Sequence, residues 1–425
     1  MSFNSVTRTM KRQLKNASTI AAAICLLAVP VQAAHYFTDP PLDKGWKLFL
    51  NMQYEDLTAL AVKSMGKGKR NAPWYELIAL VNYHRRFPDA SIAAGTAVRL
   101  EPKNAHALST YAFVSRGSQS EAVHLAQKAV ALSPKEGRPH AVLALCLMNM
   151  NKVNEARKEI EEAVRLSPTD FDVNRAGTIF YANTLEEEKA RHFYDALAKN
   201  FPTSAYVFWS RAEFRKDNSD PSGALSDYSR AIELNPKNQQ AYAGRAQLYM
   251  FLKQYAKAAE DYTHAFNIMK SWPVISSRAN AYMEMKQYDK AIADLNFCIW
   301  QMSRTGKDDH SYSAYGAGSK DYRDCWLRRM IAYQYAGRDA QVIKDGEEMI
   351  RHEPHAVKCH LLLHASYMRQ KKFNEALKHL NALISLDPEI EEWYNLRSEV
   401  YRKLGRIKEA NTDAEKASSM RKTGL

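Results

Sequence analysis

Hydrophobic residues along most of this chain recur with helical rather than strand spacing. In the stretch 241–266, Tyr242, Arg245, Ala246 and Tyr249 share one face at i, i+3, i+4 and i+7. After a short polar turn, Tyr255, Ala258, Tyr262 and Ala265 do the same. The pattern predicts two short amphipathic helices folded back on one another. Small residues such as Ala246 and Ala258 let their axes approach closely. A proline about one turn past the second helix stops it and redirects the chain. This unit is repeated. Proline falls at 102, 134, 168, 202 and 236, then again at 354 and 388, mostly 34 residues apart. A small residue marks the second helix of each unit: Ala90, Ala122, Ala156, Ala190, Ala224, Ala258, Ala291, Val342, Ala376 and Ala410. The spacing stays within 32–34 residues apart from one excess of 17, between Ala291 and Val342.

The repeated columns resemble the tetratricopeptide repeat. The tyrosine column is Tyr181, Tyr249, Tyr282, Tyr333, Tyr367 and Tyr401, and the small column is Ala112, Ala144, Ala212, Ala246, Ala279 and Ser398. The match covers residues 71–422 in ten units. It departs at Thr178, Met330 and His364, where wider helix spacing or a polar contact is expected. The resemblance implies an all-α fold, a right-handed superhelical solenoid of about ten helix-turn-helix repeats. It also implies that first helices line a concave groove that binds peptides or partner proteins. Phase then gives the groove residues: Tyr206, Trp209, Glu213, Gln247, Met250, Asn280, Met283, Leu327, Ile331 and Met368. Methionines and aromatics suit adaptable or anchoring peptide contacts. No two adjacent units carry the Lys, Asn and Arg set with which chaperone-binding members hold a peptide carboxylate.

The N-terminus follows a different pattern. Arg8, Lys11, Arg12 and Lys15 precede an apolar run from Ala17 to Val31, and Val31-Gln32-Ala33 offers small residues for cleavage. This reads as a signal peptide over 1–33, which would place the mature chain in the periplasm or outside the cell. Left uncleaved, it would anchor the chain to a membrane. No stable membrane span is expected after cleavage. Residues 34–70 read as a linker with a capping helix (Tyr54–Met65), 71–303 as repeats 1–7, 304–322 as an inserted loop, and 323–425 as repeats 8–10 with a polar cap. The cap points to a monomer.

Charge and composition narrow the function classes. With 46% hydrophobic and 25% charged residues, the chain is neither collagen-like nor wholly disordered. Formal charge is +13, and removing the four N-terminal positives leaves a mild excess, which does not suggest nucleic acid. Lys67-Gly68-Lys69-Arg70 reads as a solvated loop. No nucleophile, metalloprotease or phosphate-loop motif is present, so no enzyme and no cofactor is expected. His360 and His364 are four apart on one helix, a spacing compatible with zinc, but their columns are packing positions, so no metal is expected. Cys298 ends one second helix and Cys325 starts the next first helix. Such elements are neighbours in this repeat family, so a disulfide at the base of the inserted loop is possible if their Cα atoms lie within about 7 Å. The sequence therefore reads as a non-enzymatic protein- or peptide-binding scaffold of the cell envelope or exterior. The alternative is an accessory of surface polysaccharide assembly that stacks sugars on exposed aromatics.

Overall fold

A computed structural model describes residues 40–65, 72–85, 87, 89–115, 118–305 and 320–423. The proposed signal peptide, the Lys67–Arg70 loop and most of the inserted loop lie outside the described residues. Within them the protein is all-α, with 22 helices and no strand. Twenty of these helices, from Ala72–His84 to Ile407–Thr423, follow in ten helix-turn-helix repeats. The chain divides into two compact units, one running to Leu248 and one starting at Tyr249.

Local chemistry explains where each helix begins and turns. Side chains of Asn104, Ser118, Asp170, Ser204 and Asp220 accept hydrogen bonds from the first free backbone N–H groups of their helices. The turn inside each of the last eight repeats uses one residue in the left-handed region. In the first unit these are Asn151, Leu185 and Ser219, with φ of 61°, 63° and 65°. In the second they are Lys253, Lys286, Gly337, Lys371 and Gly405. The following N–H closes a six-residue ring onto the helix it leaves, as Lys152 does on Leu147 at 3.0 Å and Lys372 on Tyr367 at 2.9 Å. Only two of these eight positions are glycine, so the others bear a Cβ in a crowded conformation.

Small-for-large exchanges accommodate the departures from the repeat pattern. Met330 is fully buried where a small residue is usual, and Gly346 faces it. A Cβ at Gly346 would lie 2.9 Å from Met330 Cε and 2.6 Å from Leu363 Cδ2. Thr178 instead makes a polar contact, its hydroxyl donating to the Arg175 carbonyl at 2.7 Å.

A second device links helices that apolar packing alone would leave free to slide. Arg278 donates through Nε and Nη2 to Asp294 at 2.9 and 2.7 Å, joining the two helices of its repeat. Its third nitrogen reaches back to Thr263 on the preceding helix at 2.9 Å. Arg329 pairs with Asp345 and Asn296, and Arg397 with Asp413 and Asn381, all at 2.7–2.8 Å. In the first unit Arg211 pairs with Asp227 and Asp195 at 2.7–2.9 Å. Asp227, Asp294, Asp345 and Asp413 are all buried.

The N-terminal region contains more structure than a single capping helix. Helix Pro40–Leu50 precedes Tyr54–Met65, and the two form a further antiparallel pair. Leu42, Trp46 and Phe49 are buried in one cluster with Trp74, Leu77 and Leu80 of the first repeat. Gly45 permits this close approach, since a Cβ there would sit 3.3 Å from both Leu77 and Trp74. The turn after Pro40–Leu50 also meets residues more than 150 positions later. Ser204 Oγ donates to the Leu50 carbonyl at 2.9 Å, the Ala205 N–H to Asn51 Oδ1 at 3.2 Å, and Asn235 Nδ2 to the Asn51 carbonyl at 2.7 Å. The first unit thus closes on itself.

Two outcomes follow. Replacing Arg278→Ala strands a buried Asp294 and should lower stability by about 3 kcal/mol in urea titration, whereas Arg278→Met with Asp294→Leu should recover most of that loss. Leu185 is largely exposed, so Leu185→Gly removes left-handed strain at little packing cost; it should raise stability by about 0.5–1 kcal/mol in thermal melts.

Candidate functional site

The expected groove residues fall into two environments. In the first unit the inward columns of successive first helices are buried. Tyr206 and Trp209 are only 2% and 7% exposed. The ring of Tyr206 packs edge-on to His84 with centroids 6.2 Å apart, and also touches Phe171 and Trp209. Glu213 is half-buried and already engaged, accepting from the Tyr228 hydroxyl and from Lys216 Nζ. Closure by the N-terminal pair turns this face inward.

The same interior holds a charged cluster that sequence phase did not single out. Arg138 Nη2 donates to Thr110 Oγ1 at 2.9 Å, its Nε lies 3.3 Å from Asp172, and Nη1 meets His106 Nδ1 at 2.6 Å. Asp172 also faces Arg175 at 3.2 Å. Glu76, two repeats away, receives the Thr110 hydroxyl at 3.1 Å. Burial pushes its carboxyl up to about 7, against the opposing pull of Arg138. Burial, aided by the Arg138 charge, lowers His106. Arg138 and Arg175 face Asp172 and Glu76 here, so the cluster binds the repeats to one another.

The second unit leaves its first-helix residues more open. Met250, Asn280, Met283, Leu327, Ile331 and Met368 are all half-buried, and Gln247, at the end of the first unit, is exposed. Met283 borders the core containing Ile275, Leu295 and Cys298. Leu327 and Met368 border the next core, around Met330, Leu363 and Tyr367, and Met368 also borders the one after it. Trp326, which phase reasoning did not select, touches the first two of these cores and carries Arg329 over its face at 4.5 Å. These residues form an apolar margin along three successive cores.

The histidines on helix Val357–Arg369 serve packing and turn geometry. His360 Nε2 donates to the Pro354 carbonyl at 2.9 Å, six residues upstream. Asn174 makes the same bond to Pro168 and Tyr394 to Pro388. With Nε2 as donor, His360 Nδ1 accepts from His379 Nδ1–H at 3.1 Å. His379 stacks on Tyr367, with ring centroids 5.6 Å apart. Burial first, and then neighbouring His360, push His379 down to about 4, while burial also lowers His364. Among the described residues no group of three or more His, Cys, Asp or Glu is placed to hold a metal. Cys298 and Cys325 are buried free thiols of one core cluster. No helix of the described residues is long and apolar enough to cross a membrane.

Models of the tetratricopeptide repeat match residues 138–170, 215–265 and 365–418. These segments are tetratricopeptide repeats. Their helix pairs, left-handed turns and small-residue contacts are those described above. Curated relatives are similar over part of their length. An interferon-induced protein with tetratricopeptide repeats from Cricetulus griseus is 28% identical over 141 residues, 32% of this chain and 29% of that protein. An Hsp70-Hsp90 organizing protein from Triticum aestivum is 30% identical over 118 residues, 27% of this chain and 20% of that one. The chain thus spans less than a third of these relatives. Among solved structures, a tetratricopeptide repeat protein from Parabacteroides merdae aligns with TM-score 0.39 and 16% identity, over 62% of this chain and 98% of that one. Pseudomonas aeruginosa pilF aligns with TM-score 0.39 and 14% identity, over 52% and 94%.

The His379 environment generates a pH prediction. In the unfolded chain this imidazole titrates near 6.5, and in the fold near 4, so between these values the unfolded state binds more protons. Stability contributed by neutral His379 is therefore present above about 6.5 and is lost as pH falls toward 4, by on the order of 2 kcal/mol. Urea midpoints across this window should show less acid sensitivity in His379→Gln than in the parent.

Proposed function

We propose that this chain is a non-enzymatic scaffold that binds a protein or peptide through the first-helix face of its second unit. The observation that carries the reading is the half-exposed margin of Met283, Leu327 and Met368 on successive cores. A rigid repeat stack holds such anchors at fixed spacing with little ordering cost on binding. Met side chains adapt to irregular apolar partners, and Asn280 adds an amide able to pair with peptide backbone. The closed interior of the first unit gives that half a supporting role, with its arginines and acids already paired.

The relatives lend support, since they include proteins named as organizers of Hsp70 and Hsp90. The present chain matches only about a fifth of those proteins, and its partner is its own question. The basic segment followed by the apolar run Ala17–Val31 supports action in the cell envelope or outside the cell, with the signal either cleaved or kept as an anchor.

The test is selection from a random peptide library on the full mature chain, followed by calorimetry of the recovered peptides. Met283→Glu with Met368→Glu should weaken binding at least about tenfold while the thermal melt stays unchanged. Undiminished affinity in that variant would move the site elsewhere. Failure to recover any peptide, with binding to an acidic or neutral glycan array instead, would replace this reading with the polysaccharide one.

A further inference from the structure

Cys298 lies on the buried face of helix Tyr288–Thr305, and Cys325 lies near the start of helix Lys320–Tyr335. Both thiols lie against helix Trp272–Glu284. Cys298 Sγ donates to the Trp272 carbonyl at 3.4 Å. One turn further on, Ser276 Oγ stands 3.9 Å from Cys325 Sγ. Arg328 Nη1 in turn donates to Ser276 Oγ at 3.2 Å. Three helices therefore converge on two sulfurs in one core. The other buried thiols have no such arrangement: Cys359 donates to the Gly346 carbonyl, and Cys146 lies in the first unit.

We infer that Cys298 and Cys325 form an oxidisable dithiol that exchanges with a small-molecule disulfide and cross-links two consecutive repeats. The roles of the two sulfurs differ. Neighbouring Cys298 and Ser276, with the Arg328 charge nearby, hold Cys325 below the usual thiol range. Cys298 is pushed up by neighbouring Cys325 and by burial. Cys325 is thus the attacking thiolate and Cys298 the resolving thiol. In the first step Cys325 thiolate attacks one sulfur of the external disulfide, forming a mixed disulfide and releasing one thiolate. In the second step Cys298, losing its proton, attacks Cys325 sulfur and expels the second thiolate. The chain loses two hydrogens and two electrons, and the external disulfide becomes two thiols. The bond closes a loop between residues 298 and 325 and ties helix Lys320–Tyr335 to the preceding repeat, which constrains the unfolded chain. This inference does not depend on the peptide-binding reading.

The experiment incubates the native full chain with oxidised glutathione, then alkylates remaining thiols and maps the products by mass spectrometry. The expected result is loss of two hydrogens, a peptide linking 298 to 325, alkylated Cys146 and Cys359, and a melting temperature raised by several degrees that reductant reverses. Cys298→Ala should instead trap the glutathione adduct at Cys325, and Cys325→Ala should leave Cys298 unmodified. Cys298 and Cys325 both still alkylatable after oxidation, a bond that recruits Cys146 or Cys359, or a lowered melting temperature would each overturn the assignment. So would an adduct trapped on Cys298 in Cys325→Ala but absent from Cys325 in Cys298→Ala.

Discussion

The repeats depend on a guanidinium placed where three helices meet. Apolar packing drives paired helices together, but it is nearly indifferent to small slides along their axes. A planar arginine bound through two nitrogens to a buried aspartate is not, because bidentate geometry fails when either helix shifts. Arg211, Arg278 and Arg397 each fix one repeat internally in this way and then reach the helix before it, and Arg329 does so through Nε alone. Aromatic rings complete the setting, as with Arg397 between Tyr394 and Tyr401 and Arg278 between Phe266 and Tyr282. The repeat register is thereby carried from one unit of the stack to the next. The strained left-handed turns at lysine, leucine and serine are tolerable because this register holds the flanking helices in place.

Both compact units use this plan, but their inner faces differ. In the first, the additional N-terminal pair packs on Trp74 and Leu77 and bonds to Ser204 and Asn235, so the unit closes and its inward side chains lose contact with water. The charges left there, Glu76, Arg138, Asp172 and Arg175, face one another across 3.2–3.8 Å. In the second, the apolar margin of Met283, Leu327 and Met368 stays half-open, and two thiols sit at a junction of three helices just beneath it. Side chains incompletely used in packing thus run along the first helices of the second unit.

Much of this was legible in the sequence. The 34-residue recurrence of proline and alanine gave the helix pairs, their turns and their number, because each pair must bury one face against its neighbours. An arginine followed 16 positions later by aspartate recurs at 211, 245, 278, 329 and 397, so the interhelical ion pairs also had a readable signal. His360 was legible as a packing residue from its column, and its bond to the Pro354 carbonyl shows the same six-residue geometry as Asn174 and Tyr394. His379 opposite His360 has the same 19-residue offset as Glu159 opposite His140, so the position of that contact also recurs along the chain.

The sequence by itself determined the all-helical repeat, its phase and the face each first helix turns inward, because these follow from local spacing of 3.6 residues per turn and from chain-stopping prolines. Only the tertiary structure decided which of those inward faces remain accessible. Tyr206 and Trp209 occupy groove columns in sequence and are buried in space, through a hairpin docked from more than 150 residues away. Phase along one helix fixes a direction, whereas exposure depends on what arrives from distant parts of the chain, and that is set by long-range packing rather than by any local pattern.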